Sequence, residues 1–267
     1  MMSTIRRLLS AAAVAVPCAL SACTSTDEKY VERPPEELYG EAQQAMQAQR
    51  YPVAAKLFEE VERQHPYSSW ATQAQLMTAY AYYQQNDYDA TIDALDRFIR
   101  DHPGNPKVAY AYYLKALSYY EQIADVARDQ KNTELALDAL TEVVTRFPES
   151  DYARDARLKI DLTRDHLAGK EMEIGRFYLE HHQYLAAINR FRRVIENYQT
   201  TTHVPEALER LTESYLALGI TDEAQAAAAV LGYNFPGSDW YQDSYNLLAG
   251  SNLKPETKDD SWLAGAF

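Results

Sequence analysis

The sequence predicts an all-α fold, a solenoid of five helix pairs with one long connecting helix, and three observations carry that reading. Five times along the chain a small residue stands four before an apolar residue and seven before another. The small residues are Ala54, Thr91, Ala136, Ala187 and Ala224. Phe58, Leu95, Leu140, Phe191 and Ala228 follow four later, and Val61, Phe98, Val143, Val194 and Leu231 seven later. The second observation is Pro66, Pro103, Pro148 and Pro236, each twelve after its small residue, with Gln199 at that place in the fourth unit. A small residue lets two antiparallel helices approach closely, the apolar pair fills the next layer, and proline cannot continue the helix. The third is a matching first helix for each unit, built around Ala42, Ala79, Ala116, Gly175 or Thr212. In the last four of these a tyrosine follows three later: Tyr82, Tyr119, Tyr178 and Tyr215. Together they make the A-x3-F…P phrase of a tetratricopeptide repeat (TPR).

The elements follow in order. Arg6 and Arg7 precede an apolar run from Leu8 to Leu20, which ends in Leu20-Ser21-Ala22-Cys23. The run is too short to remain as a spanning helix, so residues 1–22 read as a cleaved signal peptide. Small residues before a cysteine resemble a bacterial lipobox, with Cys23 as the lipid attachment site. The alternative is an ordinary secretory signal with an incidental cysteine. Thr24 rather than Asp after Cys23 implies, by the sorting preference of such lipoproteins, the outer membrane. Several acyl chains anchor firmly where one is marginal. Cys18, the other of the two cysteines, falls inside the signal, so no intrachain disulfide is expected in the mature chain. The net charge of −13 disfavours nucleic acid and anionic headgroups as partners.

Residues 23–35 are polar and end in Pro34-Pro35, a lipidated tether before the first helix. Repeats 1–3 then occupy 36–148, and repeats 4–5 lie in 149–249. The small anchors are spaced by 37, 45, 51 and 37 residues. The first long interval places a polar loop around Asp125 to Asn132. The second places one helix from Asp151 to His182, proline-free, about 48 Å long at 1.5 Å per residue. Gly169 and Gly175 are its expected bend points. Trp240 to Ala249 is expected to cap the last repeat, and 250–267 reads as a mobile tail.

Motifs for catalysis are absent from the sequence: no G-x-G-x-x-G, P-loop, G-x-S-x-G or H-E-x-x-H. Adjacent His181 and His182 point to different helix faces, a poor metal pair, and His65 and His102 each precede a repeat-ending proline. The reading is therefore of a binding scaffold, not an enzyme, with no cofactor and no metal. The 21 tyrosines need another explanation. First helices line the inner side of a TPR solenoid. Counting from the small residue, positions minus six, minus three, plus one and plus four share that face. This places Tyr39, Tyr80, Tyr83, Tyr110, Tyr113 and Tyr120 in a candidate peptide groove. Tyrosine offers a large apolar face and a hydroxyl with little entropy to lose. The alternative is that these rings only pack against neighbouring helices.

Four stretches carry a family likeness: HPYSSWATQAQLMTAYAYYQQNDYDATIDALDRFIRDHP at 65–103, AYAYYLKALSYYEQI at 109–123, RFPESDYARDARLKI at 146–160 and HLAGKEMEIGRFYLEHHQYLAAINRFRRVIENY at 166–198. With the lipobox and the order of irregular spacings, the chain resembles the BamD family, lipoproteins of the bacterial β-barrel assembly machinery. The resemblance implies a non-enzymatic role at the periplasmic face of the outer membrane, beside accessory lipoproteins of the complex. It implies that the N-terminal repeats recognise C-terminal signals of unfolded outer-membrane proteins, which typically end in an aromatic residue. It also implies that the C-terminal repeats dock the barrel-forming subunit. Asn189-Arg190 matches the family's Asn-Arg pair on the helix from Tyr184 to Tyr198, which makes Arg190 the expected contact. A local ion pair with Glu196 or another acid is the plainer reading of Arg190. Gln199 departs from the repeat pattern and leaves the end of that helix open. A generic TPR lipoprotein scaffolding cell-wall enzymes shares the lipobox and repeats, though not the spacing order.

Overall fold

The computed structural model describes residues 32–256 and 261–265. The signal peptide and Cys23 lie outside the described residues. So do most of the expected tether and Phe267. Arg33–Phe267 forms one compact unit. Its helices are α1 (Pro35–Gln47), α2 (Tyr51–Gln64), α3 (Ser69–Gln84), α4 (Tyr88–Asp101), α5 (Val108–Tyr120), α6 (Lys131–Arg146), α7 (Asp151–Glu180), α8 (Tyr184–Asn197), α9 (Val204–Ala217), α10 (Thr221–Asn234) and α11 (Asp239–Gly250). A short 3-10 turn, Trp262–Gly265, follows. Successive helices pack as antiparallel pairs, the arrangement of a TPR solenoid. Among the described residues no helix is long and apolar enough to cross a membrane.

The small-residue phrase is the core. All five second-helix anchors and all ten of their apolar partners are buried, as are Ala42, Ala79, Ala116, Gly175 and Thr212 opposite them. Tight three-residue turns join first to second helices, each with a left-handed residue: Gln49, Asn86, His182 and Gly219. The next N–H reaches back to the carbonyl five residues earlier, as from Arg50 to Ala45 and from Ile220 to Tyr215. That bond satisfies a helix-end acceptor. Only α5 and α6 lack this turn. The polar loop expected there spans 121–130 and lies against α7, where the Lys170 Nζ donates to the Ala127 carbonyl at 3.1 Å.

The exit turns explain Gln199. All five second helices end on an aromatic cap, His65, His102, Phe147, Tyr198 or Phe235, with φ near −130° and ψ from 42° to 57°. In each, the residue three later donates its N–H to the cap carbonyl: Ser68, Asn105, Ser150, Thr201 and Ser238. Thr201 Oγ1 repeats the bond that the serines make, at 2.8 Å. Tyr198 and Thr201 thus end α8 without proline. The two histidines are caps as well as side-chain partners, His65 Nε2 lying 2.6 Å from the Arg33 carbonyl and His102 Nε2 2.8 Å from Gln75 Oε1.

One expectation needs correction here, and another gains a packing reason. Helix α7 continues for 30 residues through both Gly169 and Gly175. A Cβ at Gly175 would lie 2.4 Å from a ring carbon of Phe191, so glycine there makes room for that ring. The tail is not mobile where it is described: Leu263 is 2% exposed and joins the core of α8–α10. A single helix also serves both repeat groups. The N-terminal part of α7 packs on α6, and its C-terminal part packs on α8.

Candidate groove and docking face

The groove is set by α3, α5 and the first turn of α7. Ser68 caps α3 and Ser150 caps α7, each accepting a hydrogen bond from the N–H three residues on. These caps fix where Trp70 and Tyr152 emerge. Leu76, Met77, Tyr80, Pro106, Lys107, Tyr110 and Tyr152 enclose a cavity of about 320 Å³. The Tyr152 ring lies 5.7 Å from Tyr110 and stacks on Tyr113 at 5.1 Å, within the range of favourable ring pairing. Tyr83 meets Tyr88 edge-on at 5.8 Å, beside the cavity rather than in its wall.

Burial pushes the Tyr83 phenol up to about 12. Burial raises Tyr110 and Tyr113 as well, so these hydroxyls remain neutral donors at ordinary pH. Tyr113 donates to Asp155. That bond, and then Lys159, hold the Asp155 carboxyl below its usual range. The Lys159 ammonium lies 3.1 Å from Asp155 and 5.4 Å from the Tyr120 ring centre. Tyr120 itself lines a separate cavity with Glu121, Ile123, Leu162, Thr163 and His166.

The structure brings Tyr80, Tyr110, Tyr113 and Tyr83 together and corrects two assignments, that of Tyr120, which lines the separate cavity, and that of Tyr39. Tyr39 is core: it packs edge-on against Phe58 at 5.2 Å and against Trp70 at 4.9 Å. Its stripe position is the one expected, but Trp70 on α3, the first helix of the next repeat, closes over it. Tyr152 was missed. A signal for it exists in the repeated phrase Pro-x-Ser-x-aromatic, at Pro66 to Trp70, Pro148 to Tyr152 and Pro236 to Trp240. That phrase marks the start of α7 as a first helix in its own right.

On α8, Asn189 is exposed and Arg190 half-buried. Arg190 is not paired with Glu196. Its Nη1 lies 3.2 Å from Glu171 on α7, and Arg193 reaches the same carboxylate at 3.4 Å. The partner of Glu196 is Arg192, at 2.9 Å. Arg190 therefore offers its remaining guanidinium donors, not a free side chain, to anything that docks there. Among the described residues no group of three or more His, Cys, Asp or Glu is placed to hold a metal ion.

Residues 31–231 match the family YfiO, described as an outer membrane lipoprotein. The chain is 52% identical over 254 residues to "Outer membrane protein assembly factor BamD" of Caulobacter vibrioides, covering 94% of this chain and 83% of that protein. It is 48% identical over 245 residues to the Rickettsia prowazekii protein of the same name, covering 91% and 97%. Against that of Neisseria meningitidis serogroup A the identity is 39% over 213 residues, covering 76% and 80%.

Proposed function

Because this chain belongs to the YfiO family of outer membrane lipoproteins, we propose that it works as a non-enzymatic assembly factor, lipid-anchored through Cys23 at the periplasmic face of the outer membrane. In this reading the groove of α3, α5 and α7 takes the C-terminal segment of an unfolded outer-membrane protein. Helix α8 docks the barrel-forming subunit, and accessory lipoproteins of the same machinery join the complex. The observation that favours it most is the aromatic cavity of Tyr80, Tyr110 and Tyr152 with Lys107 at its rim. An apolar recess beside a cation suits a chain that ends in an aromatic residue and a carboxylate. A pulldown from solubilised membranes separates this from a scaffold for cell-wall enzymes. Recovery of a β-barrel protein with periplasmic domains is expected, and recovery of peptidoglycan hydrolases or synthases instead would sink the proposal.

Docking through Arg190 has its own test. Arg190→Glu would set two carboxylates against each other because Glu171 is the neighbour, so Arg190→Gln is the cleaner variant. Removing a half-exposed ion pair costs about 0–1 kcal/mol, so thermal stability should barely change. Recovery of the barrel-forming subunit should fall roughly tenfold, the effect of losing about 1.4 kcal/mol from a charge-assisted contact. Undiminished recovery at moderate salt would remove Arg190 from the interface.

The anchor is tested with Cys23→Ser in the native host. The variant should fractionate as soluble periplasmic protein or retain its signal. Unacylated variant that still sediments with salt-washed outer membrane would count against the lipid anchor.

A further inference from the structure

The chain's end is not simply tucked in; it fills a site built by three helices. Trp262 Nε1 donates to the Tyr215 hydroxyl of α9 at 3.2 Å. The Arg192 guanidinium of α8 lies over the indole, 4.2 Å from its centre. Ser261 Oγ donates to Glu223 of α10 at 3.0 Å. Leu263 enters the core shared by these helices. Further back, Gln225 Nε2 donates to the Lys254 carbonyl at 2.7 Å, and the Glu256 N–H returns a bond to the Gln225 carbonyl. Each feature of a Ser-Trp-Leu segment thus has its counterpart: an acceptor for the serine, a hydroxyl and a cation for the indole, and an apolar seat for the leucine. Indole is the strongest of the aromatic partners for a cation.

The site also borders a solvent face. Trp262 is half-buried rather than enclosed, and Arg192 sits on α8 one turn from Asn189 and Glu196. We propose that α8–α10 carry a binding site for a tryptophan–leucine peptide, which the chain's own Trp262-Leu263 fills as an intramolecular ligand and from which a partner segment of the same chemistry displaces it. Tethering gives the tail an effective concentration on the order of mM, so a competitor in trans must exceed that to enter. The site rests on the contacts above and is independent of the reading of Arg190.

The test uses the full chain with Trp262→Ala and Leu263→Ala together, which empties the site, and a fluorescein-labelled peptide of residues 261–267. Anisotropy should show saturable binding to this variant and at least tenfold weaker binding to the wild type, whose own tail competes. Adding Arg192→Ala should weaken binding several-fold, and a peptide with alanine for tryptophan should not bind. Unlabelled peptide should raise the melting temperature of the double variant but not of the wild type, a readout that survives any loss of stability from the substitutions. No binding and no thermal shift up to mM peptide would overturn the proposal. Equal binding to variant and wild type, or indifference to Arg192→Ala, would overturn it as well.

Discussion

Phe191→Ala is expected to cost about 3–5 kcal/mol, the range for emptying a buried aromatic site. Phe191 is fully buried on α8, and its ring lies directly on Gly175 of α7 within the core that continues into α9 and α10. A solenoid is stabilised by neighbour-to-neighbour interfaces, so the loss falls on one joint. Hydrogen exchange should accelerate through α8–α10 while α1–α6 keep their protection, alongside a large drop in the urea midpoint. The converse substitution is sharper. Gly175→Ala gains about 1 kcal/mol of helix propensity, yet it must push aside an aromatic ring, and overpacking costs roughly 1–3 kcal/mol. In the Phe191→Ala background the clash disappears and the same change should become stabilising. Such a reversal of sign is the coupling that a double-mutant cycle measures. If Gly175→Ala stabilises the wild type, the close approach of the two helices is not as described.

Replacing Tyr80 and Tyr152 by alanine should weaken binding of a peptide with a C-terminal aromatic residue by roughly 30- to 1,000-fold. Well-buried aromatic contacts at a hot spot each contribute on the order of 1–2 kcal/mol or more. These two rings wall the cavity from α3 and α7. Tyr83→Ala should have a smaller effect, because that ring meets Tyr88 instead. Far-UV circular dichroism should show unchanged helicity in each variant. A folded Tyr80→Ala, Tyr152→Ala protein with an unchanged dissociation constant would reduce the groove to helix packing. The contrast with Tyr83 guards against a general loss of stability being taken for lost recognition.

The groove also shows where reasoning from spacing ends. Counting from Ala79 and Ala116 places Tyr80, Tyr83, Tyr110 and Tyr113 on one face, because a helix repeats its stripe every three to four residues. The same count places Tyr39 there, and the structure buries it. Nothing within α1 reveals that Trp70, 31 residues later, covers that position. Tyr152 escaped because the start of α7 reads as a connector, although Ser150 caps it as Ser68 caps α3. Glu171, the partner of Arg190, stands 19 residues away on another helix, beyond any local pairing rule.

The sequence by itself determined the helices, their pairing, the buried anchors and the long helix after Pro148. These follow from periodic, local patterns, in which small residues permit close approach and apolar pairs recur along one stripe. Tertiary structure alone decided which exposed-looking side chains are covered, which acid each arginine meets, and that Trp262 and Leu263 return to α8–α10. Those outcomes depend on groups far apart in the chain converging in space. Such convergence leaves no period in the sequence, because each helix contributes only one or two residues to it.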